Sequence, residues 1–401
     1  MPERITDLIH HPYVPPEGFV APQPGIFKAS TVIFPNVAAM RGRDWRDKSG
    51  YTYGLHGTPT TFLLEERIAA LEGGVQCVLV PSGLAAIANV NLALLKTGGE
   101  VLLPDNVYGP SLALAQGELA QWGIHHQRYD PMNPDNLRAR LSERTQLVWL
   151  EAPGSVTMEF PPLPALVAIC RERGVPTALD NTWGAGLAFN GFDLAGAPGS
   201  GQGADIVVQA LTKYPSGGGD VLMGSIVTRD EALHLRIKGA HMRLGLGVGA
   251  NDVEAVLRSL SSVALRYRAH DEASRALAHW LQGRPEIAQV LHPALPQSPG
   301  HAHWQALCGR TGLAAGLFSV VFQPRYTQAQ VDRFCDGLRL FKLGYSWGGP
   351  MSLVVPYDIP SMRSPDLGTW PHDGRLVRFS IGLEAVPDLQ ADLAQAMALL
   401  N

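Results

Sequence analysis

The sequence predicts an α/β fold: a large, mostly parallel sheet covered by helices on both faces, with a smaller α+β region behind it. Three observations carry this. From Thr60 to about residue 245, short apolar runs alternate with amphipathic stretches of helical period, as in strand–helix–strand units that bury both faces of a parallel sheet. Around Gly245–Ala250 the composition breaks into glycines, and the pattern beyond it changes. Hydrophobic residues make up 46% of the 401-residue chain against 17% charged, which suffices for a large core.

Taken in order, the first ~50 residues are rich in proline and polar residues and read as an extended arm. The chain thus divides into an arm (1–58), an α/β unit (59–250) and a C-terminal α+β unit (251–401). Phe62 through Leu71 has helical spacing, and Gly73-Gly74 ends it. Strands are predicted at Cys77–Val80, Val101–Leu103, Gln146–Leu150, Thr177–Leu179, Ile206–Ala210 and Leu222–Val227. Helices fill Leu84–Leu95, Ser111–Trp122, Pro134–Leu141 and Leu163–Arg173. After the glycine break a long helical pattern runs over Asp252–Leu281, and the chain closes with a strand at Leu376–Ile381 and a helix from Pro387.

Lys+Arg 32 against Asp+Glu 36 gives a net charge of −4, which argues against a general nucleic-acid surface. No run approaches 18 apolar residues, and the start, Met-Pro-Glu-Arg, lacks a signal peptide's basic-then-apolar order. The expectation is a soluble, cytoplasmic protein. Cys77, Cys170, Cys308 and Cys335 are widely spaced and read as buried thiols.

Ligands of open α/β sheets bind beyond the carboxyl ends of the strands, so the residues just after each apolar run matter most. After the first strand come Ser82, Gly83 and Leu84, where a helix begins: its free N–H groups favour a phosphate. Tyr108 follows the second strand, Asp180 ends the Thr177–Leu179 run, and Thr212-Lys213 follows Ile206–Ala210. Lysine is scarce, at positions 28, 48, 96, 213, 238 and 342 only. Lys213 ends a buried-looking strand, where a desolvated amine has a lowered pKa and can condense with an aldehyde. A phosphate nest, a carboxylate, an aromatic platform and a strand-end lysine together point to pyridoxal phosphate.

The order Tyr53-Gly54…Gly57-Thr58-Pro59-Thr60, Leu71-Glu72-Gly73-Gly74, Pro81-Ser82-Gly83, Asp180-Asn181-Thr182 and Thr212-Lys213-Tyr214 resembles the Cys/Met-metabolism family of fold-type-I pyridoxal-phosphate enzymes. Gly344-Tyr345-Ser346-Trp347-Gly348-Gly349 and Val377-Arg378…Ile381-Gly382-Leu383-Glu384 are most similar to its bacterial cystathionine β-lyase branch. The resemblance implies the following roles. Lys213 carries the cofactor and moves the α-proton. Tyr108 stacks on the ring and Asp180 pairs with its nitrogen. Ser82, Gly83, Leu84, Thr212 and a neighbouring subunit's Tyr53 hold the phosphate. Arg378 grips the substrate carboxylate, while Ser346, Trp347 and Tyr345 line the pocket, Tyr345 standing where γ-acting relatives carry an acidic residue. It also implies a homotetramer and α,β-elimination from cystathionine or other Cβ–S amino acids, with the γ-acting enzymes of the family as the alternative.

Three positions depart from the family pattern: Leu55 replaces a phosphate-binding arginine, Ala210 a serine, and Gly218 a histidine. Either His56 or an arm arginine (Arg41, Arg43, Arg46) makes up the lost charge, or the remaining phosphate contacts suffice. These departures give some weight to a further alternative, a non-catalytic homologue that keeps the fold and lacks turnover. Gly344-Tyr345-Ser346-Trp347-Gly348 also matches a hydrolase nucleophile elbow, with Asp358 and His372 downstream, but no helix pattern follows it.

Overall fold

The computed structural model describes residues 4–400 except 14, 47, 49, 196–198 and 369. Seven strands form the larger sheet: β1 (Gln76–Val80), β2 (Glu100–Pro104), β3 (His125–Tyr129), β4 (Thr145–Glu151), β5 (Thr177–Asp180), β6 (Ile206–Ala210) and β7 (Gly224–Thr228). Their order is β1-β7-β6-β5-β4-β2-β3. All pairings are parallel except those of β7, which runs antiparallel to both its neighbours.

Alternate residues of these strands enter different cores. Cys77 and Leu79 pack on one face with Leu64 and Ile68, and Val78 and Val80 on the other with Ile87 and Val90. Burial on both faces is why these strands read as unbroken apolar runs. Helix Pro59–Glu72 covers the first face. It is opened by reciprocal hydrogen bonds between Thr58 and Thr61 and closed by Gly73 in the left-handed conformation, φ 80°. Helix Gly83–Leu94 covers the second.

The smaller sheet holds β8 (Ile287–Leu291), β9 (Leu317–Phe322), β10 (Lys342–Leu343), β11 (Leu353–Tyr357) and β12 (Leu376–Ser380), in the order β10-β11-β12-β9-β8. Phe318, Val320, Val377 and Phe379 pack into a core shared with helices Val263–Gln282 and Val386–Met397. Strand alternation puts Leu376 and Arg378 on the opposite face, and Leu376 joins the core of the larger sheet.

Four sequence expectations change. Strand β3 has no apolar run, because it is an edge strand with His125 exposed and only Tyr129 buried. The pattern Asp252–Leu281 is two helices, Ala250–Leu260 and Val263–Gln282, broken at Ser261-Ser262. The helix expected over Ser111–Trp122 starts at Gly109 and contains a π-helical turn, Ala115–Leu119. Leu222 lies outside β7 and is 70% exposed.

Candidate active site

The carboxyl ends of β4, β5 and β6 open into a cleft that Trp347 and Arg378 also line. The structure brings Ser82, Gly83, Leu84, Tyr108, Asp180, Thr212, Lys213, Trp347 and Arg378 together around it.

Lys213 projects from the turn after β6. Its Nζ donates to Ser346 Oγ at 2.6 Å and lies 4.4 Å from the Trp347 ring centroid. Burial, then the Arg378 charge, bring its pKa down to about 8, against the pull of Asp180. A substantial share of the amine is therefore neutral near pH 8 and available as a nucleophile or base. Ser346 holds this contact from a left-handed backbone, φ 113°, unusual for a residue with a side chain. Lys342, by contrast, is exposed and donates to the Arg339 carbonyl.

Asp180 ends β5, half-buried at the edge of the cleft. Thr182 donates to it from its backbone N–H at 2.9 Å and from its hydroxyl, and that hydroxyl accepts the Ala210 N–H at 2.9 Å. Burial nonetheless raises the carboxyl's pKa. Beside it on β4, Glu151 accepts from the Tyr108 N–H at 2.8 Å and the Ser155 hydroxyl at 2.5 Å. Burial, with Asp180 second, pushes Glu151 up to about 8.

At the opposite wall, Ser82 caps helix Gly83–Leu94 by accepting from the Ala85 N–H at 3.0 Å. Its hydroxyl is thus an intrahelical cap, and the Gly83 and Leu84 N–H groups remain at the helix start, where anions are favoured. A side chain at Gly83 would come within 2.6 Å of Ala210 Cβ, and one at Gly224 within 2.3 Å of the Ser82 carbonyl. Only glycine lets these backbones close around the cradle. The Thr212 hydroxyl sits between the N–H and carbonyl of Met223, both at 3.2 Å.

Two expected residues lie elsewhere. Tyr345 is 79% exposed and outside the lining, although its neighbour Trp347 belongs to it. Tyr53 precedes a short 3₁₀ turn in the arm and is absent from its own chain's cleft. Leu55 reaches toward Gly247. His56 bonds Thr52 Oγ1 at 2.7 Å, and burial, Lys238 and Arg43 lower its pKa, so it is neutral at pH 7. A side chain at Gly218 would meet the Asp220 carboxylate at 2.3 Å.

The hydrolase reading fails on geometry. Ser346 is bonded by Lys213, and His372 packs edge-on against Trp370, 4.8 Å between centroids, in a separate cleft. Among the described residues no group of His, Cys, Asp and Glu is placed to hold a metal, and no helix is long and apolar enough to cross a membrane. Sequence reasoning passed over Glu151, Thr182 and Tyr357. Glu151 was findable by its own rule, because it ends an apolar run just as Asp180 does.

Known proteins resemble this chain over nearly its whole length. The family model for Cys/Met metabolism PLP-dependent enzymes matches residues 5–398. The chain is 36% identical over 382 residues to a cystathionine beta-lyase of Salmonella typhimurium, covering 93% of this chain and 92% of that one. It is 36% identical over 406 residues to the cystathionine beta-lyase of Bordetella avium, covering 98% of each. Cystathionine gamma synthase from Xanthomonas oryzae pv. oryzae, solved in complex with aminoacrylate and cysteine, superposes with a TM-score of 0.86 at 28% identity, over 100% of this chain and 99% of that one.

Proposed function

This chain belongs to the Cys/Met metabolism family of pyridoxal-phosphate-dependent enzymes, and from that premise we propose that it is a carbon–sulfur β-lyase acting on L-cystathionine. With one water, the substrate gives homocysteine, pyruvate and ammonia. The observation that carries the reading is the convergence of a desolvated lysine, a half-buried aspartate and a buried arginine on one cleft.

The residues fit the cofactor. The glycine-built cradle at Gly83 and Gly224 admits a phosphate to the helix start, and Asp180 offers a carboxylate at the cleft. Arg378 Nε is buried without a hydrogen-bond partner, as expected of a group that receives a substrate. When bound, pyridoxal phosphate supplies an electron sink for the carbanion left at Cα.

The chain's own residues do the rest. Asp180 keeps a proton at the cofactor's ring nitrogen, and Thr182 fixes the carboxylate that does so. Tyr108, at the cleft, presents its ring as the platform. Arg378 takes the substrate α-carboxylate as a guanidinium fork. Lys213 Nζ, whose free amine meets Ser346 Oγ, is the base placed to take the Cα proton, after which the thiolate would leave Cβ.

The arm 1–58 belongs, in this reading, to a neighbouring subunit's site within a homotetramer that also brings in Tyr53. In the single chain its Val20 and Ile33 are 92% and 89% exposed, apolar surface that a subunit contact would bury. Four buried free thiols fit a reducing cytoplasm.

The test is Lys213→Ala in the purified enzyme. Pyruvate release from L-cystathionine should disappear while circular dichroism stays unchanged. Steady turnover in that variant contradicts the proposal.

A further inference from the structure

Arg378 is 6% exposed, and among the described residues no carboxylate forms an ion pair with it. Burial opposes its charge, Tyr357, Tyr345 and Tyr108 favour it, and the Lys213 amine faces it across the cleft. A buried guanidinium left in this state is costly unless its donors are ordered and its charge is reserved for a ligand.

Strand pairing explains which neighbours can order it. Arg378 on β12 pairs with Val355 on one side and Ser319 on the other. Val355 has no polar atom, and the Ser319 hydroxyl donates to the Val156 carbonyl at 2.5 Å. Tyr357, two residues beyond Val355 on β11, is the diagonal neighbour on the same face, within reach of long side chains. Its ring centroid lies 5.4 Å from Arg378 Cζ and that of Trp347 lies 5.5 Å away. Tyr357 is thus the phenol packed against the guanidinium from β11, and its hydroxyl favours the charged form of Arg378.

We propose that Tyr357 is a positioning residue for substrate recognition, accepting one guanidinium N–H of Arg378 so that the remaining donors, Nε included, are left for the α-carboxylate. The inference rests on Arg378 being the carboxylate anchor of the reading above. A phenol suits the task where an acid would not. A carboxylate at position 357 would neutralise Arg378 and compete with substrate, whereas a neutral hydroxyl sets direction and leaves the charge in place.

The experiment uses Tyr357→Phe, which keeps the ring against the guanidinium and removes only the oxygen. In the holoenzyme, KM for L-cystathionine should rise about tenfold with kcat within about twofold, the loss of one hydrogen bond to a charged group. Inhibition by glycine, which carries a carboxylate, should weaken in parallel. Inhibition by ethylamine, which lacks one, should not change, and Tyr357→Gln, which restores an acceptor, should recover part of the KM. An unchanged KM, or equal weakening of glycine and ethylamine, overturns the inference. Arg378→Ala separates the two levels. If it leaves KM unchanged, the carboxylate reading itself fails; if it raises KM while Tyr357→Phe does not, only the role of Tyr357 fails.

Discussion

Glu151 and Asp180 stand opposite each other on neighbouring parallel strands, and both half-buried carboxyls line the cleft. Each disfavours ionisation of the other, and burial adds to this. Thr182 donates two hydrogen bonds to Asp180, and the Lys213 charge also favours its ionised form. Glu151, pushed up to about 8, keeps its proton at neutral pH, while the Thr182 bonds and Lys213 oppose the rise at Asp180.

Glu151→Gln tests this directly, since it replaces a neutral acid by a neutral amide of similar shape. Activity at pH 7 should stay within about threefold, because the amide still accepts the Tyr108 N–H and the Ser155 hydroxyl can turn to accept from it. Stability supplies the sign. Between 4.5 and about 8 the folded protein holds the Glu151 proton that the unfolded chain releases. Stability from this residue therefore falls as pH rises through that window. In thermal melts of the cofactor-free protein, Glu151→Gln should gain on wild type from pH 5 to 8.5. A constant gap between the two contradicts the assignment.

The Lys213 amine predicts how cofactor capture depends on pH. Its pKa is lowered to about 8, and only the neutral amine attacks an aldehyde. The capture rate of the cofactor-free protein should climb toward about tenfold per pH unit below pH 8 and level off above it. Stopped-flow absorbance reads this. A flat profile from pH 6 to 9 contradicts the depressed pKa.

Leu55 marks a missing positive charge that neutral His56 does not replace. If the helix start, Thr212 and a neighbouring Tyr53 hold the phosphate alone, Leu55→Arg should tighten cofactor binding by roughly tenfold, the scale of one charge-assisted contact. Dissociation constants from equilibrium dialysis decide it. Unchanged or weaker binding shows that another cation already serves that place, and Arg41, Arg43 and Arg46 are then the variants to make.

Much of this was legible in the sequence because burial on both sheet faces leaves unbroken apolar runs, and the residues after those runs reach the cleft. Asp180, Lys213 and the Ser82–Leu84 turn were found by that rule. Strand β3 escaped because its edge position asks for no apolar run. The break at Ser261-Ser262 escaped because helical spacing continues across it. Tyr357 left no local signal at all: its relation to Arg378 exists only through the register of β11 and β12. Adjacent residues of Gly344–Gly349 also part company in a way the sequence does not signal: Trp347 lines the cleft, whereas Tyr345 is exposed and outside its lining.

The most direct test of the central claim is the product balance from L-cystathionine, with pyruvate and 2-oxobutyrate quantified separately by chromatography. Cleavage at Cβ predicts pyruvate and homocysteine in equal amounts with little 2-oxobutyrate. Mainly 2-oxobutyrate with cysteine would make the protein a γ-acting enzyme and contradict the account.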